Sequence, residues 1–242
     1  MTVRPQAQWL TQWEYAHRGL HSDTIPENSL AAARAAVAQG YGIECDIQRS
    51  LDDHPMVFHD WELERLTDGV GLVEDHGADE LEDMALLGSD QSPVRLEAFV
   101  KLVAGRVPLL VEIKSQPAYD VEWTCLYVHN ALGSYKHSYA VMSFDPRVPE
   151  WFASNAPETC RGLVGTDSYQ NGFEGMWRDT DILCKANADF LAIDRRDLAR
   201  HEAQDWRAMG RPLLTWTVRT PAERSEAAEL ADALITENRG FS

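Results

Sequence analysis

Short β-rich runs alternate with longer helical runs along most of the chain, and this alternation limits the fold more than any other feature of the sequence. EYAHR, YGIECDIQ, PMVFHD, VPLLVEIK, YAVMSF, RGLVG, DFLAID, RPLLTWTV and DALITE read as strands. Helices are predicted over Leu30 to Gln39, Leu96 to Ala104, Asp120 to Leu132, Arg147 to Ser154, Leu198 to Met209 and Pro221 to Leu230. Parallel strands need crossover segments of about this size, so the pattern predicts an α/β fold closed into a (β/α)8 TIM barrel. A chain of 242 residues suits one such domain spanning 1–242.

Local signals refine this outline. Ser29 is placed to cap LAAARAAVAQ, and Gly40 suits the left-handed position that ends it. RSLDDH is too short to hold a helix, so PMVFHD is predicted to return as a hairpin arm at the barrel mouth. The run from Trp61 to Pro93 reads as an excursion or lid with little regular structure, and GTDSYQNGFEGMW (165 to 177) as a second loop. The sequence ends soon after DALITE, which predicts a reduced final helix, with AQWLTQW covering the barrel bottom instead.

The balance of 22 basic against 39 acidic residues, a net charge of −17, makes the average surface repellent to nucleic acid and anionic membranes. Any phosphate must therefore meet a local positive site. No stretch of about 18 apolar residues occurs and no signal-peptide core opens the chain, so a cytoplasmic protein without stable membrane insertion is expected. Cys45, Cys125, Cys160 and Cys184 are scattered, without a CxxC pair, and read as four buried thiols in a reducing compartment.

Alternation along GIECDIQ puts Glu44 and Asp46 on one strand face, and along VEIK it does the same for Glu112 and Lys114. If both faces point into the barrel mouth, three carboxylates converge near Lys114, His17 and Arg18. Such a cluster needs a compensating cation, and an all-oxygen set suits one hard divalent ion, Mg²⁺ or Ca²⁺. Three carboxylates with Lys114 and Arg18 sum to −1, and a divalent ion brings the site to +1, which a phosphodiester anion would neutralise. His17 and His59 end the first strand and the hairpin arm, where one can remove a proton and the other supply one. Arg18 can hold phosphate oxygens and stabilise the added charge of a transition state.

The ordered set AHRG, PENS, GIECDIQ, VFHD, LERLTDGVG, VEIK, MSFDP and TWTV resembles the glycerophosphodiester phosphodiesterase family, within the PLC-like phosphodiesterase superfamily. The resemblance is strong from Ala16 to Gly71 and patchy beyond. It implies metal-dependent hydrolysis of a small-molecule phosphodiester to sn-glycerol 3-phosphate and an alcohol. His17 and His59 would be the acid–base pair, Glu44, Asp46 and Glu112 the metal ligands, and Arg18 and Lys114 the phosphate contacts. The mechanism usually proposed for such enzymes has the glycerol 2-hydroxyl attack phosphorus and water then open a cyclic phosphate; direct attack by water is the other route. Phe144 and Trp216, near the mouth by strand position, would pack on the glycerol, with core packing as the plainer role. Four places depart from the family pattern: DDHP in the hairpin turn, Arg219 after WTV, TENRG at the last strand, and a short excursion between His59 and Leu96.

The other readings weighed are a lysophospholipase-D-like enzyme acting on a lipid, a barrel glycosidase and a non-catalytic binder. A glycosidase leaves His17, His59 and Arg18 without employment. A binder with a decayed site would have lost a catalytic position, whereas all seven candidate residues are present. The remaining histidines, His21 among them, carry no assigned chemistry. Asn28 reads as a turn residue that positions the loop after the first strand.

Overall fold

In the computed structural model, which describes residues 5–169 and 172–241, each predicted strand forms and each predicted helix forms in its place. The first half of the chain runs β1 (Tyr15–Ala16), α1 (Leu30–Gln39), β2 (Gly42–Arg49), β3 (Pro55–Val57), α2 (Ala78–Asp83), β4 (Val94–Arg95), α3 (Leu96–Val103), β5 (Leu109–Ile113) and α4 (Val121–Leu132). The second continues with β6 (Tyr139–Ser143), α5 (Arg147–Asn155), β7 (Cys160–Gly165), α6 (Thr180–Ala186), β8 (Phe190–Asp194), α7 (His201–Ala208), β9 (Leu213–Val218), α8 (Pro221–Leu230) and β10 (Ala233–Thr236). β1, β2 and β5 to β10 pair in parallel, and β1 bonds both β2 and β10, so the eight strands close into the expected barrel.

Strand alternation divides the core. Ile43, Cys45 and Ile47 of β2 and Val111 and Ile113 of β5 point outward and pack with Leu96, Phe99 and Val103 of α3 and Cys125 and Val128 of α4. Leu110, Ala140, Phe190, Leu214 and Ala233 point inward and fill the barrel together with Tyr15. The 3-10 helix Pro5–Gln12 covers the bottom as expected: Ala7 and Leu10 are fully buried in this inner cluster, and the Tyr15 hydroxyl donates to the Leu10 carbonyl at 2.9 Å. After β10 the chain makes a 3-10 turn at Asn238–Gly240.

β3 pairs antiparallel with β2, opposing Ile47 to Val57, and β4 adds to its other edge, which confirms the hairpin arm. The segment from Trp61 to Pro93 departs from its expected irregularity. It holds a 3-10 turn at Val73–Asp75 and helix α2, and Leu63, Val73, Ala78, Leu81 and Leu86 close a small core over Met56 and Phe58. Helix α2 is capped from a distance, since the Asp52 carboxylate in the hairpin turn accepts from the Ala78 amide at 2.8 Å. The loop at 165 to 177 carries a 3-10 turn at Met176–Arg178, and residues 170 and 171 of it lie outside the described residues, as do residues 1–4 of the N-terminal segment.

Three further points correct the sequence reading. α6 was not anticipated; the Asp179 carboxylate nucleates it by accepting from the amides of Asp181 and Ile182. α7 begins at His201 because residues 194–200 form successive turns in which Asp197 and Arg200 donate amides to the Asp194 and Asp197 carbonyls. Cys184 is exposed, and the other three thiols are buried.

The turn after β1 sets the active face. Arg18 and Gly19 both take positive φ, 55° and 77°, and the Gly19 amide lies against the Ala16 and Glu44 carbonyls. A Cβ on Gly19 would stand 2.8 Å from the Ala32 Cβ, whereas one on Gly40, at the same φ, meets nothing within 4 Å. Gly40→Ala is therefore expected to lose about 1 kcal/mol by urea unfolding, from the backbone conformation alone. Gly19→Ala should lose clearly more; equal losses would remove the Ala32 contact as a cause.

Candidate active site

The carboxyl ends of the barrel strands open into a cleft of about 480 Å³. All nine residues named from the sequence line it: His17, Arg18, Glu44, Asp46, His59, Glu112, Lys114, Phe144 and Trp216. The register of β2 against β5 is what unites the acids, because Asp46 stands opposite Glu112 and Glu44 opposite Leu110, on the inward face. One oxygen from each of Glu44, Asp46 and Glu112 lies within 4.8 Å of the others.

The surroundings compensate this charge incompletely. Lys114 Nζ lies 2.7 Å from Glu112 Oε1 and 3.3 Å from Asp46 Oδ1, and Arg18 Nε lies 3.3 Å from Asp46 Oδ2. Asn28, at φ 54°, donates its side-chain amide to Asp46 Oδ2 at 2.9 Å, so the turn residue reaches the cluster itself. Burial opposes ionisation of Asp46, but Lys114, His59, Arg18 and His17 together hold its carboxyl below the usual range. Burial also works against the Lys114 ammonium, yet Glu112 and Asp46 push its pKa up to about 12.

Glu44 is left unbalanced. Its Oε2 accepts the Arg18 amide at 2.9 Å, while Oε1 is buried without a hydrogen-bond partner. Burial, with the Asp46 and Glu112 charges, pushes its pKa well above the carboxylate range. An unpartnered buried oxygen beside two more carboxylates is a donor set that a hard divalent cation fits, and ionised Glu44 needs such a charge nearby.

Two histidines flank the cluster, each fixed through Nδ1 by a carboxylate. His17 Nδ1 lies 2.9 Å from Glu237 Oε2, and His59 Nδ1 lies 2.6 Å from Asp60 Oδ1. A carboxylate that accepts from Nδ1–H leaves the Nε2 lone pair of a neutral ring for other work. His17 Nε2 points toward Glu44, 4.0 Å from its Oε2. Burial draws the His17 pKa below the ordinary imidazole value, against the Glu237 hydrogen bond, and so favours the neutral ring.

A chain of ion pairs joins the two sides of the cleft. Arg18 bonds Glu27 at 2.7 Å, Arg65 bonds the same Glu27 oxygen at 2.8 Å, and Arg65 also clamps Asp60, which holds His59. Glu27, Asp60 and Arg65 lie within PENS, VFHD and LERLTDGVG, fragments quoted above without a role for these side chains. Glu237 was also missed. It directly follows Thr236, the last residue of β10, and no local pattern in the sequence marks it. It pairs with Arg219, so the charges at these two positions offset each other. Phe144 and Trp216 meet edge to face with centroids 5.5 Å apart, and the indole donates to the Ala192 carbonyl. They serve as both cleft wall and core.

The sequence matches the Glycerophosphoryl diester phosphodiesterase family over residues 17–239. It is 36% identical over 238 residues to YhdW of Bacillus subtilis, named as a candidate glycerophosphodiester phosphodiesterase, with 93% of this chain and 94% of that one covered. Glycerophosphodiester phosphodiesterase 1 of Bos taurus is 25% identical over 258 residues, covering 92% of this chain and 77% of its own. A phosphodiesterase of Oleispira antarctica, solved in complex with the product sn-glycerol-3-phosphate, shares the fold with a TM-score of 0.79 at 23% identity, over 93% and 92% of the two chains. With the family matched along nearly its whole length and a relative this similar end to end, the chain belongs to the glycerophosphoryl diester phosphodiesterase family and is a phosphoric diester hydrolase.

Proposed function

We propose that this enzyme cleaves glycerophosphodiesters to sn-glycerol 3-phosphate and an alcohol by acid–base catalysis between His17 and His59. In this reading Glu44, Asp46 and Glu112 hold one divalent cation, Mg²⁺ or Ca²⁺. The observation that carries it is the trio of buried carboxylates, one oxygen of it unpartnered, between two carboxylate-anchored histidines.

The bound cation would supply positive charge to the phosphoryl oxygens as negative charge develops there. Arg18 and Lys114 add fixed positive charge beside it, preorganised by Glu27, Asp46 and Glu112. One histidine accepts the proton of the attacking hydroxyl at Nε2, and the other returns a proton to the leaving alkoxide. Glu237 and Asp60 hold the two rings in the tautomer and orientation that this needs. Phe144 and Trp216 offer an apolar wall to the glycerol carbons. The net charge of −17 leaves nucleic acid out of this reading, since the average surface repels a polyanion. Among the described residues no helix is long and apolar enough to cross a membrane.

Glycerol 3-phosphate release from a panel of glycerophosphodiesters is expected in Mg²⁺ or Ca²⁺, to vanish in EDTA and to return when the metal is restored. Turnover only of a lysophospholipid included in the panel, giving lysophosphatidic acid and the alcohol, would move the substrate to a lipid, and undiminished release in EDTA would remove the cation. His17→Ala and His59→Ala should each lower kcat by roughly 10²-fold or more while circular dichroism stays unchanged. Near-native turnover in either removes that residue from proton transfer. Glu237→Gln should lower kcat with little change in KM, and should add nothing further to His17→Ala. Full additivity would deny that it acts through His17.

A further inference from the structure

We propose that His17, His21 and Glu237 form a second metal site, selective for a borderline transition ion such as Zn²⁺, whose occupation shuts off the enzyme. Two imidazole nitrogens converge on one carboxylate oxygen: His17 Nδ1 lies 2.9 Å and His21 Nε2 3.3 Å from Glu237 Oε2. Tetrahedral zinc ligands at about 2.0–2.1 Å from the ion stand roughly 3.3 Å apart, close to the two nitrogen–oxygen distances here, and the two nitrogens lie within 4.8 Å of each other. Two nitrogens and one oxygen suit Zn²⁺, whereas the all-oxygen trio of Glu44, Asp46 and Glu112 suits Mg²⁺ or Ca²⁺.

The backbone holds the donors in place before any ion arrives. The His17 amide donates to the Thr236 carbonyl at 2.9 Å, and the His21 amide to the Gly19 carbonyl at 3.0 Å. Arg219 engages the other oxygen of Glu237, Oε1, orienting the carboxylate while leaving Oε2 to the two rings. There is an access route from the surface, because His21 lines a separate shallow cleft beside Ser22, Thr24 and Glu27, while His17 lines the main one.

Inhibition follows from a tautomer change. With Nδ1 bonded to Glu237, neutral His17 carries its proton there and presents a lone pair at Nε2. An ion on Nδ1 displaces that proton, and the neutral ring then carries it at Nε2. The ring is left a donor too weak to release its proton and with no lone pair to accept one. Binding at the triad does not depend on the proposed function; the loss of turnover rests on the acid–base role of His17.

Calorimetric titration of Zn²⁺ into the full chain at saturating Mg²⁺, with glycerophosphodiester turnover followed in parallel, tests the site. The expected result is Zn²⁺ binding with loss of turnover that excess Mg²⁺ does not relieve. His21→Ala, and His21→Gln as a bulkier variant should alanine loosen the turn, should weaken both effects at least about tenfold. In zinc-free Mg²⁺ these variants should turn over within about twofold of wild type, as changes away from the reacting atoms do. Unchanged Zn²⁺ binding in both variants, or relief by excess Mg²⁺, would place the ion on the carboxylates and overturn the proposal. If no substrate is turned over at all, the proposed function fails, and the calorimetric comparison still decides whether the triad binds metal.

Discussion

Three carboxylates buried side by side in a barrel mouth repel one another strongly, and the rest of the active face is organised around that repulsion. Lys114 and Arg18 reach Asp46 from two directions, Asn28 donates to it, and the Arg18 amide turns to Glu44. These contacts still leave Glu44 short of a positive partner. The deficit makes a cation, and then a phosphodiester anion, the natural complements of the site. It also reconciles a protein of net charge −17 with a phosphate ligand, because a cation held by the three acids beside Lys114 and Arg18 would make that one spot locally positive.

The barrel supplies rigidity, and the excursion after β2 supplies the second histidine. Register fixes Asp46 opposite Glu112, and the Phe58 amide bonds the Asp46 carbonyl at 3.0 Å, so the hairpin arm is anchored at the cluster it serves. The small core over Met56 and Phe58 keeps that arm from behaving as a loose lid. Through Glu27, Arg65 and Asp60 the turn after β1 is then linked to His59. Displacing His59 therefore strains the ion pairs that orient Arg18.

Much of this was legible because it rests on periodicity. Alternation put Glu44 and Asp46 on one face of GIECDIQ, and Glu112 and Lys114 on one face of VEIK; the pairing of the two strands in the barrel turned both faces inward and brought them together. What escaped depended on partners distant in sequence. α2 is six acidic-rich residues capped by Asp52 from another turn, and α6 is a single short segment stabilised by Asp179. Glu237 gave no local pattern, since its meaning comes from β10 closing beside β1, 220 residues from His17. Arg219 and TENRG looked like unrelated departures until the barrel placed one charge against the other.

The central claim is that Glu44, Asp46 and Glu112 are one cation site, and its stoichiometry can be measured without knowing the substrate. Calorimetric titration of Mg²⁺ and of Ca²⁺ into chelator-stripped protein should give one ion per chain, with binding lost in Asp46→Asn and Glu112→Gln. Both variants should remain folded, since each removes repulsion between buried acids. Absence of binding by the native chain, or binding that survives both substitutions, would contradict the account and reduce the acidic cluster to a structural ion-pair network with Lys114 and Arg18.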